Sequence, residues 1–269
     1  MEEARTGDGY TEAGTGQAVV MMPGMEGSKE FWRYQVEALS DSCHAVACDL
    51  AIRKPSASST IADYAAKTLS IMDSLGIDKA VIVGESMGGM IAQEIVLNHP
   101  ERVTGLMLCN TVDNPRRFGM GFNMFTLATI VHQFAFLPFL SDEQRRKILR
   151  WVGRHRGFVM DPTPGNELLI DYLFAYGLEC GGLAYVDRII AGSKAYNTEL
   201  LSKISVPTLV LRGTEDRLVK ADAVVSFIGR IPGAELALIE GGGHCCTHTM
   251  PEETTAVMRE WLNRSGFIT

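Results

Sequence analysis

The residues best suited to covalent chemistry lie in the segment Gly84-Glu85-Ser86-Met87-Gly88. An apolar, β-branched run at positions 80–83 precedes this segment and predicts a short buried strand. A stretch of helical periodicity follows and ends at His99-Pro100. A strand, a G-x-S-x-G turn and a helix form a nucleophile elbow, which presents its serine at the strand tip and the helix N-terminus. The same pattern also occurs in flexible turns, but these flanks favour the elbow, and Ser86 is predicted to be a nucleophile.

The two glycines of this segment are expected for a steric reason. The turn is tight enough to hold the serine backbone in a strained region, which costs about 1–3 kcal/mol. We expect side chains at Gly84 and Gly88 to collide across the turn. Both positions therefore favour glycine.

A serine hydroxyl is a weak nucleophile at neutral pH, so it needs a base, and the base needs a group that orients it. His244 is the leading candidate because it follows an apolar strand and the flexible run Gly241-Gly242-Gly243. His248 is the alternative. The remaining histidines fall in a predicted strand, at a helix end or in a predicted helical insert: His44, His99, His132 and His155. Because the base must be a neutral imidazole, activity should fall on acidification through about pH 6–7.

The orienting carboxylate should also follow a strand. An apolar run ends at Arg212 and leads into Gly213-Thr214-Glu215-Asp216, which makes Asp216 the leading candidate. Asp113, just after the strand predicted at 103–110, is the second candidate, and Glu215 is the third. A carboxylate that only caps a turn is the structural alternative for Asp216. The chain order is then Ser, Asp, His.

The composition limits the classes of function. The 269-residue chain is 46% hydrophobic and 21% charged, with a formal net charge of −7, which argues against a nucleic-acid binder or a protein of anionic membrane surfaces. The N-terminal segment lacks an apolar signal sequence, and no apolar run approaches the roughly 20 residues of a membrane span. The six cysteines show no metal-site spacing. We therefore expect a cytoplasmic protein with reduced thiols and no metal or organic cofactor.

Strand and helix patterns alternate along most of the chain. Helices separate strands predicted at 10–13, 18–22, 43–50, 80–83, 103–110, 206–212 and 235–239. This alternation predicts an α/β fold with a mostly parallel sheet that is covered on both faces. The stretch between the strands predicted at 103–110 and 206–212 breaks the alternation, with helical periodicity near 122–137, 142–154, 166–176 and 183–195. We interpret residues 1–111 and 203–269 as the core, and residues 112–202 as a helical lid inserted over the strand tips.

The segments around these candidates, GESMGGMIAQ, VPTLVLRGTEDRLV and GGGHCCTHTMPEE, together resemble the α/β-hydrolase superfamily. The similarity spans nearly the whole chain and points to the lidded branch of esterases, lactonases and C–C hydrolases. It implies an oxyanion hole made by two backbone N–H groups, those of Met87 and of Met25 in the loop after the strand at 18–22. Removal of one such donor typically lowers turnover by about 10²–10³-fold.

Three features depart from the family pattern. Pro23-Gly24 replaces the usual His-Gly of the oxyanion loop, which changes how that loop is braced. The segment after Asp49 reads Ala51-Ile52-Arg53-Lys54-Pro55 instead of a glycine-rich turn. The N-terminus is short for the family's opening hairpin, so a sheet of seven strands rather than eight is expected.

The resulting hypothesis is a serine hydrolase that cleaves a carboxylic ester, thioester or lactone of a small molecule through an acyl-enzyme. The same residues are compatible with a C–C bond hydrolase or enol-lactonase of aromatic-degradation products, with a perhydrolase side activity, and with a non-catalytic ligand receptor. Apolar residues concentrated from Phe118 to Leu140 indicate a mainly apolar substrate. The alternative is that these residues form only the core of the lid and its contacts with the sheet domain. A strongly anionic substrate would instead need a buried arginine facing Ser86, for which Arg53, Arg116 and Arg117 are the candidates by sequence. A homo-oligomer is compatible with the sequence, because part of this apolar surface could pack on a partner subunit.

Overall fold

The computed structural model describes residues 4–50, 59–115, 139–156, 166–180 and 183–269. Its central sheet consists of eight strands: β1 (Arg5–Gly7), β2 (Tyr10–Ala13), β3 (Ala18–Met22), β4 (His44–Cys48), β5 (Ala80–Glu85), β6 (Val103–Cys109), β7 (Thr208–Gly213) and β8 (Glu235–Ile239). Their spatial order is β1-β2-β4-β3-β5-β6-β7-β8. All neighbours from β4 to β8 in this order run parallel, so the predicted mostly parallel sheet is confirmed.

Helices cover both faces of the sheet: α1 (Arg33–Leu39), α2 (Ile61–Ser74), α3 (Met87–Asn98), α4 (Asp142–Arg156), α5 (Asn166–Cys180), α6 (Leu183–Ser193), α7 (Ala221–Ile228), α8 (Cys246–Thr249) and α9 (Pro251–Arg264). The helix expected from about residue 29 begins as a tighter 3₁₀ turn, Lys29–Trp32, before α1. Across the described ranges, no helix combines the length and apolar character needed to cross a membrane.

The sheet separates two hydrophobic cores because successive side chains of a strand point to opposite faces. On one face, Val20 and Ile82 pack with residues of α2, α3 and α7. On the other face, Val19 and Val83 pack with residues of α1 and α9. These four side chains are fully buried. With both faces covered, the loops at the carboxyl ends of the parallel strands are the place for a ligand site.

The opening hairpin is present, so the expectation of seven strands was wrong. β1 pairs antiparallel with β2, with Arg5 opposite Glu12, and β2 pairs antiparallel with β4, with Tyr10 opposite Cys48. Asp8-Gly9 joins β1 and β2, and Gly9 has a φ of +85°. An Asp-Gly pair is typical of two-residue hairpin turns, which need positive φ angles. This turn is short enough for a three-residue strand to fit in the N-terminal segment.

The described residues between β6 and β7 include α4, α5 and α6, where helical periodicity predicts helices. The further helix predicted near 122–137 lies outside the described residues, and the lid and its boundaries stay predictions. Two adjacent side chains of α6 fix it to the core. Asp187 accepts a 2.8 Å hydrogen bond from the Tyr64 hydroxyl of α2, and Arg188 donates to the loop after β3. Both charged residues are buried.

Replacement of Tyr64 by Phe should destabilise the protein by about 1–3 kcal/mol, because the buried Asp187 carboxylate would lose a hydrogen-bond donor. Urea unfolding of wild type and Tyr64→Phe measures this difference. Tyr34→Phe is the matched control. The Tyr34 hydroxyl is half-buried and accepts a hydrogen bond from the neighbouring Arg33. Equal losses of stability in the two variants would contradict a specific contribution of the Tyr64–Asp187 hydrogen bond.

Candidate active site

Ser86 occupies the turn between β5 and α3 with a strained backbone, at φ 52° and ψ −112°. A non-glycine residue at such a φ is uncommon and persists where its surroundings fix it. Here the Ser86 N–H donates to the Cys109 carbonyl at 2.9 Å, and the Thr111 hydroxyl donates to the Ser86 carbonyl at 2.6 Å. The end of β6 therefore holds both sides of the strained residue.

The two glycines of the turn are required for different reasons. A Cβ atom at Gly84 would lie 2.1 Å from the carbonyl oxygen of Gly88, which is the collision expected across the turn. A Cβ atom at Gly88 would instead lie 2.3 Å from the carbonyl oxygen of Met22 and 2.6 Å from that of Pro23. Gly88 thus lets α3 approach the end of β3 and the loop after it, which is a contact between two separate elements.

The structure brings the three predicted catalytic side chains together. His244 Nε2 lies 2.9 Å from Ser86 Oγ, and His244 Nδ1 lies 2.9 Å from Asp216 Oδ2. A proton on Nδ1, donated to the carboxylate, leaves Nε2 free to accept the serine proton. Ser86, His244 and Asp216 are 8%, 7% and 3% exposed, so water competes little with these hydrogen bonds.

The loop after β7 fixes the Asp216 carboxylate. Its second oxygen, Oδ1, accepts backbone N–H groups of Leu218 at 2.8 Å and Val219 at 2.9 Å. The buried guanidinium of Arg212 donates to the carbonyls of Asp216 and Val219, each at 3.0 Å. One carboxylate oxygen is therefore held by the backbone while the other faces His244.

The two other candidate acids lie elsewhere. Asp113 is buried and accepts a hydrogen bond from the Thr198 hydroxyl, while its carbonyl accepts the Asn197 N–H at 3.0 Å. Glu215 is exposed to solvent. Of the three candidates, Asp216 is the one that is hydrogen-bonded to His244.

Close backbone packing positions the His244 loop. A Cβ atom at Gly213 would lie 2.2 Å from the carbonyl oxygen of Gly242 and 2.6 Å from that of Gly243. The Glu215 N–H donates to the Gly242 carbonyl at 2.8 Å, which ties the loop after β8 to the loop after β7. Gly241, at φ +71°, supplies the bend that directs the chain back over the sheet.

A buried polar network that sequence reasoning missed lies beneath these side chains. Asn110, at φ 46°, donates from Nδ2 to Glu85 Oε1 at 3.1 Å and accepts the Gly213 N–H at 3.0 Å. Thr247 also donates to Glu85, at 3.0 Å. Burial raises the pKa of the Glu85 carboxyl well above its usual range, although the His244 charge opposes the shift. The available signal was Asn110 itself, since asparagine at a strand end tolerates a left-handed backbone.

The two proposed oxyanion donors belong to different elements. Met87 is the first residue of α3, where backbone N–H groups have no acceptor within the helix. Met25 lies in the oxyanion loop, residues 23–28, and lines the cavity that contains Ser86. Arg188 of α6 braces this loop from behind, with Nε donating to the Met25 carbonyl at 2.6 Å. The brace that Pro23 cannot supply is therefore provided by a residue of the inserted helices.

His248, the alternative base, is a core residue instead. Its Nδ1 donates to the Phe31 carbonyl at 2.8 Å, and its ring stacks on Phe31 with a centroid distance of 5.1 Å. It also contacts Tyr172 of α5. Burial lowers the pKa of His248 to about 4, so the ring is neutral at physiological pH. It joins α8 to the 3₁₀ turn and to the inserted helices.

The described cavity walls beside Ser86 include apolar side chains from three elements: Phe31, Tyr185 and Leu218. The aromatic and methionine residues expected to shape the substrate site, from Phe118 to Leu137, lie outside the described residues. Phe139 is described and is 77% exposed. Among the described side chains, no group of three or more His, Cys, Asp or Glu residues could hold a metal ion.

The sheet topology and this arrangement define an α/β hydrolase fold with a serine at its elbow. The family model of the alpha/beta hydrolase fold matches residues 17–249. The chain belongs to this family of hydrolytic enzymes, and the predictions of the family and of an enzyme are confirmed.

Individual similarities extend along the whole fold. One relative is a protein of Caulobacter sp. (strain K31) that bears the provisional name carbamate hydrolase RutD. It is 27% identical over 265 residues, which cover 92% of this chain and 91% of the relative. An esterase from Thermogutta terrifontis has a TM-score of 0.74 at 24% identity, covering 95% of this chain and 93% of its own. The enol-lactonase from Burkholderia xenovorans LB400 has a TM-score of 0.77 at 19% identity, covering 94% and 95%. These two structures share the fold.

The neutral state of His248 predicts a pH-dependent stability. Its pKa in the folded protein, about 4, lies below the ordinary value of 6.5, so the unfolded chain binds a proton that the folded protein does not. This contribution to stability is complete above about pH 6.5 and is lost as the pH falls toward 4, with a loss of about 2 kcal/mol by pH 5.

Urea unfolding at pH 7.5 and pH 5 tests this prediction. His248→Asn keeps an N–H donor near the position of Nδ1 but does not titrate, and it should be less stable at both pH values. Between the two pH values, the change in its free energy of unfolding should be about 2 kcal/mol smaller than the change in wild type. An identical pH dependence in the two proteins would contradict the buried neutral imidazole.

Proposed function

We propose that this protein is a serine hydrolase that cleaves a carboxylic ester, thioester or lactone through an acyl-enzyme. The observation that carries the proposal is the pair of 2.9 Å hydrogen bonds joining Ser86 to His244 and His244 to Asp216. Nucleophile, base and orienting acid are within direct hydrogen-bonding distance, as this chemistry requires.

In the first step, Ser86 Oγ attacks the substrate carbonyl carbon while His244 Nε2 takes the hydroxyl proton. Asp216 stabilises the resulting imidazolium through Nδ1. The negative charge on the substrate oxygen is stabilised by the N–H groups of Met25 and Met87 and by the N-terminus of α3. The imidazolium then gives its proton to the departing alcohol, thiol or ring oxygen, which leaves the acyl group on Ser86. In the second step, His244 takes a proton from water as the water attacks this acyl group. The imidazolium then returns the proton to Ser86 Oγ as the carboxylic acid leaves.

The cavity lining supports a mainly apolar substrate, and the name of one relative supports attack on a carbonyl carbon. The described walls beside Ser86 include Phe31, Tyr185 and Leu218. A ligand that covers their apolar surface gains roughly 25 cal/mol of binding free energy for each Å² removed from water. The Caulobacter relative is named for the hydrolysis of a carbamate, whose carbonyl carbon is attacked in the same way as that of an ester.

A fluorophosphonate probe and p-nitrophenyl esters of acetate, butyrate and octanoate test this function together. The probe should label wild type at Ser86, and kcat/KM should rise with chain length to butyrate or beyond. Ser86→Ala should lose labelling and ester turnover while its unfolding midpoint stays close to that of wild type. A receptor would not be labelled. Turnover confined to dicarboxylate-type substrates would instead favour an enol-lactonase or C–C bond hydrolase.

A matched pair of variants tests the acid. Asp216→Asn should lower kcat by about 10³–10⁴-fold, because an amide can neither stabilise the imidazolium nor enforce the required tautomer. Asp113→Asn keeps an oxygen that can accept the Thr198 hydroxyl and should change kcat little. Steady-state kinetics on p-nitrophenyl butyrate give both values. A larger loss in Asp113→Asn than in Asp216→Asn would reassign the acid.

A further inference from the structure

The oxyanion loop carries a carboxylate into the site that the mechanism does not use. Glu26 follows Met25 and lines the same cavity as Ser86 and His244. A Cβ atom at Gly24 would lie 3.4 Å from Glu26 Oε2 and 3.4 Å from Ser86 Cβ. The carboxylate and the nucleophile therefore flank the same glycine, on the substrate side of the loop.

The surroundings of Glu26 leave its carboxylate available to a ligand. No other residue in the described ranges donates a hydrogen bond to it, and the hydrogen bond that lowers its pKa comes from its own backbone amide. Burial is the largest influence and raises the pKa, while the charges of His244 and Arg188 oppose this rise. By contrast, the Glu85 carboxylate is occupied by Asn110 and Thr247.

The buried arginine beside Glu26 in the described residues, Arg188, is directed to the loop backbone. Arg188 Nε donates to the Met25 carbonyl at 2.6 Å, and Nη2 lies 3.4 Å from the Glu26 carbonyl. A Cβ atom at Gly27 would lie 2.9 Å from the Arg188 guanidinium carbon, so the guanidinium lies directly against Gly27. Among the described residues that line the cavity there is no arginine, so on these walls an anionic group would meet Glu26.

We propose that Glu26 is a specificity-determining residue that favours substrates with a cationic group close to the scissile carbonyl and disfavours substrates with a carboxylate there. This proposal rests on the hydrolase function proposed above. A carboxylate in a partly enclosed, weakly screened site attracts a cation and repels an anion more strongly than the same group in water. The apolar walls and this carboxylate, the one without a donor from another residue among the described lining residues, together fit a substrate that has an apolar chain and a quaternary or primary ammonium.

Two sets of esters of matched shape test the proposal. In the first, the charge is in the acyl part: methyl esters of 5,5-dimethylhexanoate, of 4-(trimethylammonio)butanoate and of glutarate, followed by acid release. In the second, it is in the alcohol part: butyrate esters of choline, of 3,3-dimethylbutanol and of glycolate. In at least one set, wild type should have a kcat/KM for the cation at least tenfold above that for the anion.

Glu26→Gln should reduce this cation-to-anion ratio at least tenfold, and Glu26→Asp, which keeps the charge on a shorter side chain, should give an intermediate ratio. Glu30→Gln is the matched control, because it makes the same change in net charge on the outer groove lined by Lys29 and Arg33. Its ratio should equal that of wild type. Unfolding midpoints establish that the variants are folded.

Three results would overturn the proposal. Wild type could show no preference in either set, Glu26→Gln could change all esters by the same factor, or Glu30→Gln could shift the ratio as much as Glu26→Gln. A uniform change would mean that Glu26 only supports the loop or the His244 charge. Failure of the hydrolase function itself is distinguishable, because wild type would then neither hydrolyse the neutral esters nor react with the fluorophosphonate probe.

Discussion

The site depends on close approaches of backbone to backbone at the carboxyl edge of the sheet. Gly84 faces Gly88, Gly88 faces Met22 and Pro23, and Gly213 faces Gly242 and Gly243, each at a distance that a methyl group would prevent. These contacts connect the loops after β3 and β5 as one pair and the loops after β7 and β8 as a second pair, and Asn110 joins the two pairs through Glu85 and the Gly213 N–H. Because the loops interlock through main chain, the side chains they carry have fixed separations, and the 2.9 Å hydrogen bonds among Ser86, His244 and Asp216 follow from this spacing.

The electrostatics of the site follow from how each carboxylate is satisfied. Asp216 accepts two backbone N–H groups and faces His244. Glu85 accepts Asn110 and Thr247, and Asp113 accepts Thr198. Buried polar groups are normally paired in this way, because an unpaired group loses its hydration without compensation. Glu26 differs in lying half-buried at the cavity wall without a donor from another described residue, as its proposed role toward a ligand requires.

Local patterns in the sequence predicted the strands, the elbow and the three side chains that meet there. Each functional group directly follows an apolar run, and parallel strands bring such positions to one edge. What the sequence could not reveal depends on contacts between distant residues. Arg188 reaches the oxyanion loop across 163 positions, and His248 reaches Phe31 across 217. Asn110 and Glu85 are adjacent only because β5 and β6 are neighbours. The β1–β2 hairpin was missed for a different reason. Its Asp-Gly turn is a recognisable signal in the sequence, but the short N-terminal segment led to the prediction of seven strands.

The replacement of the usual oxyanion-loop histidine by Pro23 has a structural counterpart in α6. Proline has no N–H and no side-chain donor, so the loop needs an external brace. Arg188 supplies it through the Met25 carbonyl, while the preceding residue, Asp187, is fixed to α2 by Tyr64. Two adjacent residues of one helix therefore tie the inserted region to the core and to the oxyanion loop. In the proposed mechanism, the Met25 N–H faces the developing oxyanion, and α6 holds this residue through the hydrogen bond from Arg188 to the Met25 carbonyl. The same helix carries Tyr185, which lines the cavity. Any displacement of α6 would consequently alter substrate contacts and oxyanion geometry together.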